Sequence, residues 1–233
     1  MRHPGWAADR TRGGWRACLC VAVLLAGCQA HPQLVERAPL VDVNRLEPGI
    51  KLDIRYATAN NFTGRRLYPS ARALLLPEPA RALIQAHTAL RKQGYGILVY
   101  DAYRPWRVTR DLWNSAGKSE RANGFVADPA TGSRHNRGCA VDVGLYDLAN
   151  GQEVPMPSAF DDFSIYAHAD WTGGTPEQRR TRDTLRRAME EHGFKVLPNE
   201  WWHFNFRDCD HQPLLDIPID RADKHTSASG SPA

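Results

Sequence analysis

Residues 139–143, Cys-Ala-Val-Asp-Val, set a carboxylate inside a run of small and strand-forming residues. Such a run belongs in a buried strand. An acid buried there is costly unless it is paired, hydrogen-bonded or bound to a metal. Whatever this chain folds into must therefore bring compensating groups to Asp142. His135 lies seven residues upstream, across Gly138, which permits a sharp turn. These residues alone leave two readings open: Asp142 satisfied by backbone amides with His135 on a surface loop, or both side chains as metal ligands.

A second cluster, Glu200-Trp201-Trp202-His203, places a glutamate three residues before a histidine. The arrangement is similar to that of zinc peptidases in which a carboxylate beside the metal activates water. On an ideal strand, positions 200 and 203 face opposite sides, so Glu200 must sit at a turn or strand entrance to share a site with His203. By itself the segment also reads as an aromatic core strand with a satisfied histidine. Together, His135, Asp142 and His203 supply two imidazoles and a carboxylate, a set suited to a catalytic zinc, with Glu200 left as the base. A third cluster, Asp101-Ala102-Tyr103-Arg104-Pro105, directly follows the apolar run Gly96–Tyr100. Arg104, pinned by Pro105, is placed either to stabilise an oxyanion or to form a structural salt bridge with Asp101.

Hydrophobic spacing predicts helices over 78–93, 105–116 and 176–192. The first carries Ala80, Leu83, Ile84, His87 and Leu90 on one face and stops at Gly94. The second opens at Pro105 and carries Val108 and Leu112. The third has Thr175 as a cap and Pro176 in its first turn, and it presents Thr181, Leu185, Ala188 and Met189. Strands are expected over 96–100, 139–143 and 202–206. These elements imply an α+β fold: a small central antiparallel sheet with helices packed on it and the metal cluster at the sheet. With 233 residues, 42% of them hydrophobic, the chain is long enough for one domain with a real core.

The net charge of +4 is concentrated at the start, where Arg2, Arg10, Arg12 and Arg16 face Asp9 alone. The rest is close to neutral and gives no reason to expect nucleic-acid binding. The apolar run Ala17–Ala26 is too short to span a bilayer and fits a signal-peptide core. It ends in Leu25-Ala26-Gly27-Cys28, which resembles the bacterial lipobox and implies cleavage before Cys28 and lipid on it. Gln29 then resembles an outer-membrane address. An ordinary cleaved signal peptide, or an apolar start to the fold, are the alternatives. The expected organisation is a signal peptide over 1–27, a tether over 28–40, a domain over 41–222 and a disordered tail over 223–233. Export would leave Cys139 and Cys209 in an oxidising compartment, as a disulfide or as two buried thiols.

The motif Ser133-x-His135-x-x-Gly138-x-Ala140-x-Asp142, the later Glu200-x-x-His203 and the earlier Tyr103-Arg104-Pro105 resemble the zinc D,D-peptidases that include the VanX-type D-alanyl-D-alanine dipeptidases. The stretch from Asp53 to Gly64 is similar to the N-terminal signature of that subgroup, and the stretch from Val154 to Asp161 to a later block. The resemblance spans residues 40–210 in the expected order. It implies that His135, Asp142 and His203 ligate one Zn2+, that Glu200 is general base and then proton donor, and that Arg104 steadies the oxyanion. Ser133 and Asp161 would lie near the amino end of a small D,D-dipeptide, with Tyr56 and Phe62 lining the pocket. Ser133 equally suits a turn cap, and Asp162 leaves the Asp161 register open by one. The implied activity is hydrolysis of D-alanyl-D-alanine by an enzyme held to the envelope membrane through its lipid. The alternatives are a carboxypeptidase or endopeptidase acting on peptidoglycan stem peptides, and a non-catalytic wall-binding lipoprotein.

Overall fold

The computed structural model describes Met1, residues 32–207 and residues 209–225. Cys28, the expected leader beyond Met1 and the end of the expected tail lie outside the described residues. In chain order the strands and helices are β1 (Leu34–Val35), β2 (Val41–Asp42), α1 (Val43–Leu46), β3 (Lys51–Leu52), β4 (Leu74–Leu75), α2 (Pro77–Arg91) and β5 (Tyr95–Asp101). They continue with α3 (Trp106–Ser115), α4 (Lys118–Ala122), β6 (Ala140–Asp147), α5 (Pro176–Glu191), β7 (Phe194–Leu197), β8 (Glu200–Phe206) and β9 (Leu214–Leu215). No helix among the described residues is long and apolar enough to cross a membrane.

The five-stranded sheet has the order β3-β5-β6-β8-β7. The strands β5, β6, β8 and β7 pair antiparallel, as expected, but β3 joins β5 in parallel. Residues 53–94, including α2, form the long crossover that this parallel edge pair needs. The all-apolar run in β5 is buried residue by residue from Gly96 to Asp101. Helix α2 packs against β5 and α5, and α5 packs against β7. Their buried stripes match the expected faces, except that Ile84 is only half-buried at the margin of its stripe. Helix α5 opens with a full capping box, in which the Thr175 hydroxyl accepts from the Gln178 amide at 3.1 Å and the Gln178 side chain accepts from the Thr175 amide at 2.8 Å. Gly94, at φ +88°, ends the first long helix in a conformation open to glycine.

Two boundaries differ from expectation. The tether expected over 28–40 joins the fold at residue 34, where Leu34 and Val35 pair in parallel with β9 and Leu40 is buried. These apolar residues have a sheet edge and a core to cover, which a solvated tether does not. At the other end, a 3-10 helix over Ile219–His225 crosses the boundary placed at 222.

Cys139 and Cys209 form a disulfide, with Cα atoms 5.9 Å apart and 70 residues between them in sequence. The bridge joins the start of β6 to the segment after β8, beside the hydrogen bond from the Phe206 amide to the Cys139 carbonyl at 2.8 Å. Reducing the bridge, or Cys209→Ser, is expected to lower unfolding stability by about 2–5 kcal/mol. A urea titration checks this, and an unchanged midpoint would show that the bridge adds nothing.

Candidate active site

Asp142 and His203 sit directly opposite each other in the β6–β8 register, so their side chains share one face of the sheet. His135 reaches that face from a 3-10 turn over His135–Arg137 that ends at Gly138, φ +67°. A Cβ at Gly138 would also press against Leu40 and the Leu76 amide, at 2.9 and 3.3 Å. Asn136 pins the turn. Its Oδ1 accepts from the Ser133 amide at 2.7 Å, and its Nδ2 donates to the Arg104 carbonyl and to Thr109 Oγ1, both at 2.8 Å.

Three ligand-type atoms converge. His135 Nε2, His203 Nδ1 and Asp142 Oδ1 stand 3.1, 3.0 and 3.3 Å apart as a near-equilateral triangle. All three residues are buried, and Asp142 Oδ1 has no hydrogen-bond partner despite its proximity to both rings. Neighbouring ligands of a tetrahedral zinc are separated by roughly 3.3 Å, so the cluster fits such an ion. The far nitrogens are also engaged: His135 Nδ1 lies 2.6 Å from the Ala102 carbonyl, and His203 Nε2 lies 2.9 Å from Asn205 Oδ1. With a metal bound, both contacts would keep the ring proton on the far nitrogen and leave the inward one free to ligate. Burial alone would raise the Asp142 carboxyl, but the two imidazoles outweigh it and hold the group well below the usual range.

Glu200 reaches this cluster through an irregularity in β8. One step along β7, from Val196 to Leu197, corresponds to four along β8, from Phe204 to Glu200. The extra residues break the two-residue alternation and turn Glu200 to the side of His203, with Oε2 at 3.8 Å from Nδ1. Glu200 is thus at a strand entrance, as the sequence requires. Burial pushes its carboxyl up to about 8; His203 and Arg104 pull it down, and Asp142 and Asp161 push it further up.

The salt-bridge reading of Arg104 holds. Its Nε and Nη2 donate to Asp101 Oδ2 at 2.9 and 2.7 Å, and Asp101 Oδ1 accepts from the Tyr68 hydroxyl at 2.8 Å. So held, the guanidinium lies 5.1 Å from the Tyr56 ring and, through Nη2, 3.9 Å from Asp142 Oδ2. Across the pocket, Asp161 adopts φ +60°, a left-handed conformation uncommon for a residue with a side chain. Its carboxylate accepts from the Phe62 amide at 3.3 Å and from the Tyr56 hydroxyl at 3.5 Å. Burial pushes the Asp161 carboxyl up to about 7. The neighbouring Asp162 instead accepts from the Ser164 amide, and it is Asp161, not Asp162, that lines the cavity. Ser133 lines the pocket and also caps its own turn, accepting from the His135 amide at 3.2 Å.

A single cavity of about 200 Å³ is lined by Tyr56, Phe62, Arg104, Ser133, His135, Asp142, Asp161, Glu200 and His203, which are all the candidate residues within the described chain. Asn205 was not anticipated, although its position two residues after His203 on the same strand face was a usable signal. Phe125 and Phe163, stacked at 5.2 Å on the cavity wall, lie in loops with no periodicity to reveal them. Asn205→Leu is expected to weaken Zn2+ affinity by about 10–100-fold, measured by competition with a chelator. Unaltered affinity would remove Asn205 from the set that orients the site.

The family model described as D-ala-D-ala dipeptidase, peptidase M15, matches residues 36–220. A D-alanyl-D-alanine dipeptidase of Escherichia coli (strain K12) is 33% identical over 176 residues, covering 76% of this chain and 89% of the relative. One from Enterococcus faecium is 34% identical over 191 residues, covering 73% and 93%. Among solved structures, the LdcB LD-carboxypeptidase is similar with a TM-score of 0.45 at 18% identity, over 74% of this chain and 69% of that one. The family match spans most of the described fold and every residue that lines the catalytic cavity, and the chain belongs to the peptidase M15 family of D-ala-D-ala dipeptidases.

Proposed function

We propose that this chain hydrolyses free D-alanyl-D-alanine to two D-alanines, with one zinc held by His135, Asp142 and His203. The observation that carries the reading is the content of one small cavity: a three-atom ligand cluster with an orphaned carboxylate oxygen, a buried glutamate beside it, and a second carboxylate at the other side. Its volume of about 200 Å³ suits a dipeptide. The curated relatives named for this activity support the substrate.

Zinc bound there supplies a Lewis acid that polarises a carbonyl and lowers the pKa of water. Glu200 accepts the proton of the attacking water and then returns it to the leaving amine. Burial pushes the Glu200 carboxyl up to about 8 against the pull of His203, and a dication held by the neighbouring ligands would draw it down and favour the ionised base. Arg104, held in place by Asp101, faces the charge that develops on the carbonyl oxygen. Asp161 pairs with the free ammonium of the substrate, and Tyr56, a neutral phenol because burial raises its pKa well above 10, donates to that carboxylate. A longer or acylated donor lacks the ammonium and leaves Asp161 without its partner, which disfavours stem peptides.

The proposal includes location. The leader and Leu25-Ala26-Gly27-Cys28 support export and a lipid on Cys28, on the periplasmic face of the envelope and at the outer membrane by Gln29. The Cys139–Cys209 bridge supports the same reading, because such bonds persist in oxidising compartments. There the enzyme would act on wall-derived dipeptide.

Release of D-alanine from D-alanyl-D-alanine, beside an N-acylated dipeptide and a stem pentapeptide, tests the reading. Zinc-dependent turnover confined to the free dipeptide is expected, with kcat lowered about 10²–10⁴-fold in Glu200→Gln. Comparable turnover of the pentapeptide would move the chain to wall remodelling, and none at all with zinc bound would overturn catalysis. The pH profile separates the two carboxylates. Asp161 is protonated below about 7 and then no longer attracts the ammonium, so KM should rise as the pH falls through that value. Asp161→Asn should raise KM and flatten the dependence; a KM that rises in the same way in the variant would count against the pairing.

A further inference from the structure

A second concavity, of about 390 Å³, shares no lining residue with the catalytic cavity. Leu76, Phe206 and the Cys139–Cys209 bridge contribute an apolar floor. Arg37, Arg81, Arg137 and Arg207 also line it, against one acid, Glu78. Among the described residues none of the four arginines pairs with a carboxylate: Arg137 donates to the Gln212 carbonyl, and Arg207 lies 5.7 Å over the Phe206 ring. Elsewhere arginines do find acids, as in Arg55–Asp53, Arg107–Asp216, Arg134–Asp210 and Arg186–Glu190. Beyond its leader the chain is close to neutral, so this cluster is a local asymmetry and not a consequence of overall charge.

We propose that the groove is a docking surface for anionic phospholipid headgroups. Guanidinium groups match phosphodiester oxygens in charge and geometry, and the apolar floor accommodates the carbon that follows a headgroup phosphate. The path of the chain favours a bilayer over a free anion. Arg37 lines the groove and stands nine residues after Cys28, a span of at most about 30 Å when extended. A lipid on Cys28 would therefore hold the arginines close to a membrane, and a basic patch is the second contact that seats a tethered domain on a surface. The groove does not depend on the hydrolytic reading, and mass spectrometry of Cys28 tests the lipid separately.

The test is co-sedimentation of residues 29–233, which contain the whole described fold from residue 32 onward, with vesicles. One set contains phosphatidylglycerol in phosphatidylcholine, the other phosphatidylcholine alone. Binding is expected only to the first, weakening as salt rises. The triple variant Arg37→Gln, Arg81→Gln, Arg207→Gln should bind roughly 100-fold more weakly. An unchanged Tm of the variant ties that loss to the groove and not to the fold. The proposal is overturned if the variant binds like the parent, if the parent binds both vesicles equally, or if millimolar inorganic phosphate saturates the groove without any vesicle binding, which would assign it to a free phosphate.

Discussion

The carboxylate of Asp142 sits in the middle of a buried strand, and most of the architecture around it answers that one cost. Burial of an acid is tolerable only beside groups that compensate it. The chain brings His203 directly across the β6–β8 pair and His135 across the turn at Gly138. Neither imidazole completes a hydrogen bond to Asp142 Oδ1, although both approach it closely. A cation held by the three would satisfy all of them at once.

The supports of that triangle come from several parts of the chain, and they are cross-linked to one another. Asp101 ends β5 and holds Arg104; the Arg104 amide donates to the His135 carbonyl at 3.1 Å, and Asn136 closes the loop by donating to the Arg104 carbonyl. The disulfide ties the start of the strand that carries Asp142 to the chain leaving the strand that carries His203. Displacing one ligand therefore requires moving main chain that other ligands also use. Such shared anchorage keeps a site at fixed geometry without relying on the reacting side chains to hold one another.

Much of this was legible in the sequence because it rests on short-range patterns. The acid in an apolar strand, the Glu200-x-x-His203 spacing and the Tyr103-Arg104-Pro105 corner each constrain their neighbours locally. The long helices were legible because their stripes run over several turns and their ends carry proline, a capping threonine and glycine. What escaped depends on distant partners. The two-residue strands β1, β3 and β9 have too few residues to show a period, and their pairing is set by tertiary contact. The parallel edge follows from where the crossover returns, not from Lys51 and Leu52 themselves. Phe125 and Phe163 gain their roles only when two loops meet.

The two imidazoles differ in what steadies them. His203 leans on the side chain of Asn205, whereas His135 leans on the carbonyl of Ala102. A main-chain oxygen is supplied by whichever amino acid occupies the position, so codon changes at 102 cannot delete it. Position 102 is 1% exposed, and evolutionary drift there is limited by volume and by the amide that donates to Asp101 Oδ1. At 205 drift is limited by chemistry. One half of the ligand support is thus written in the backbone and hidden from point mutation, and the other half is written in a single codon.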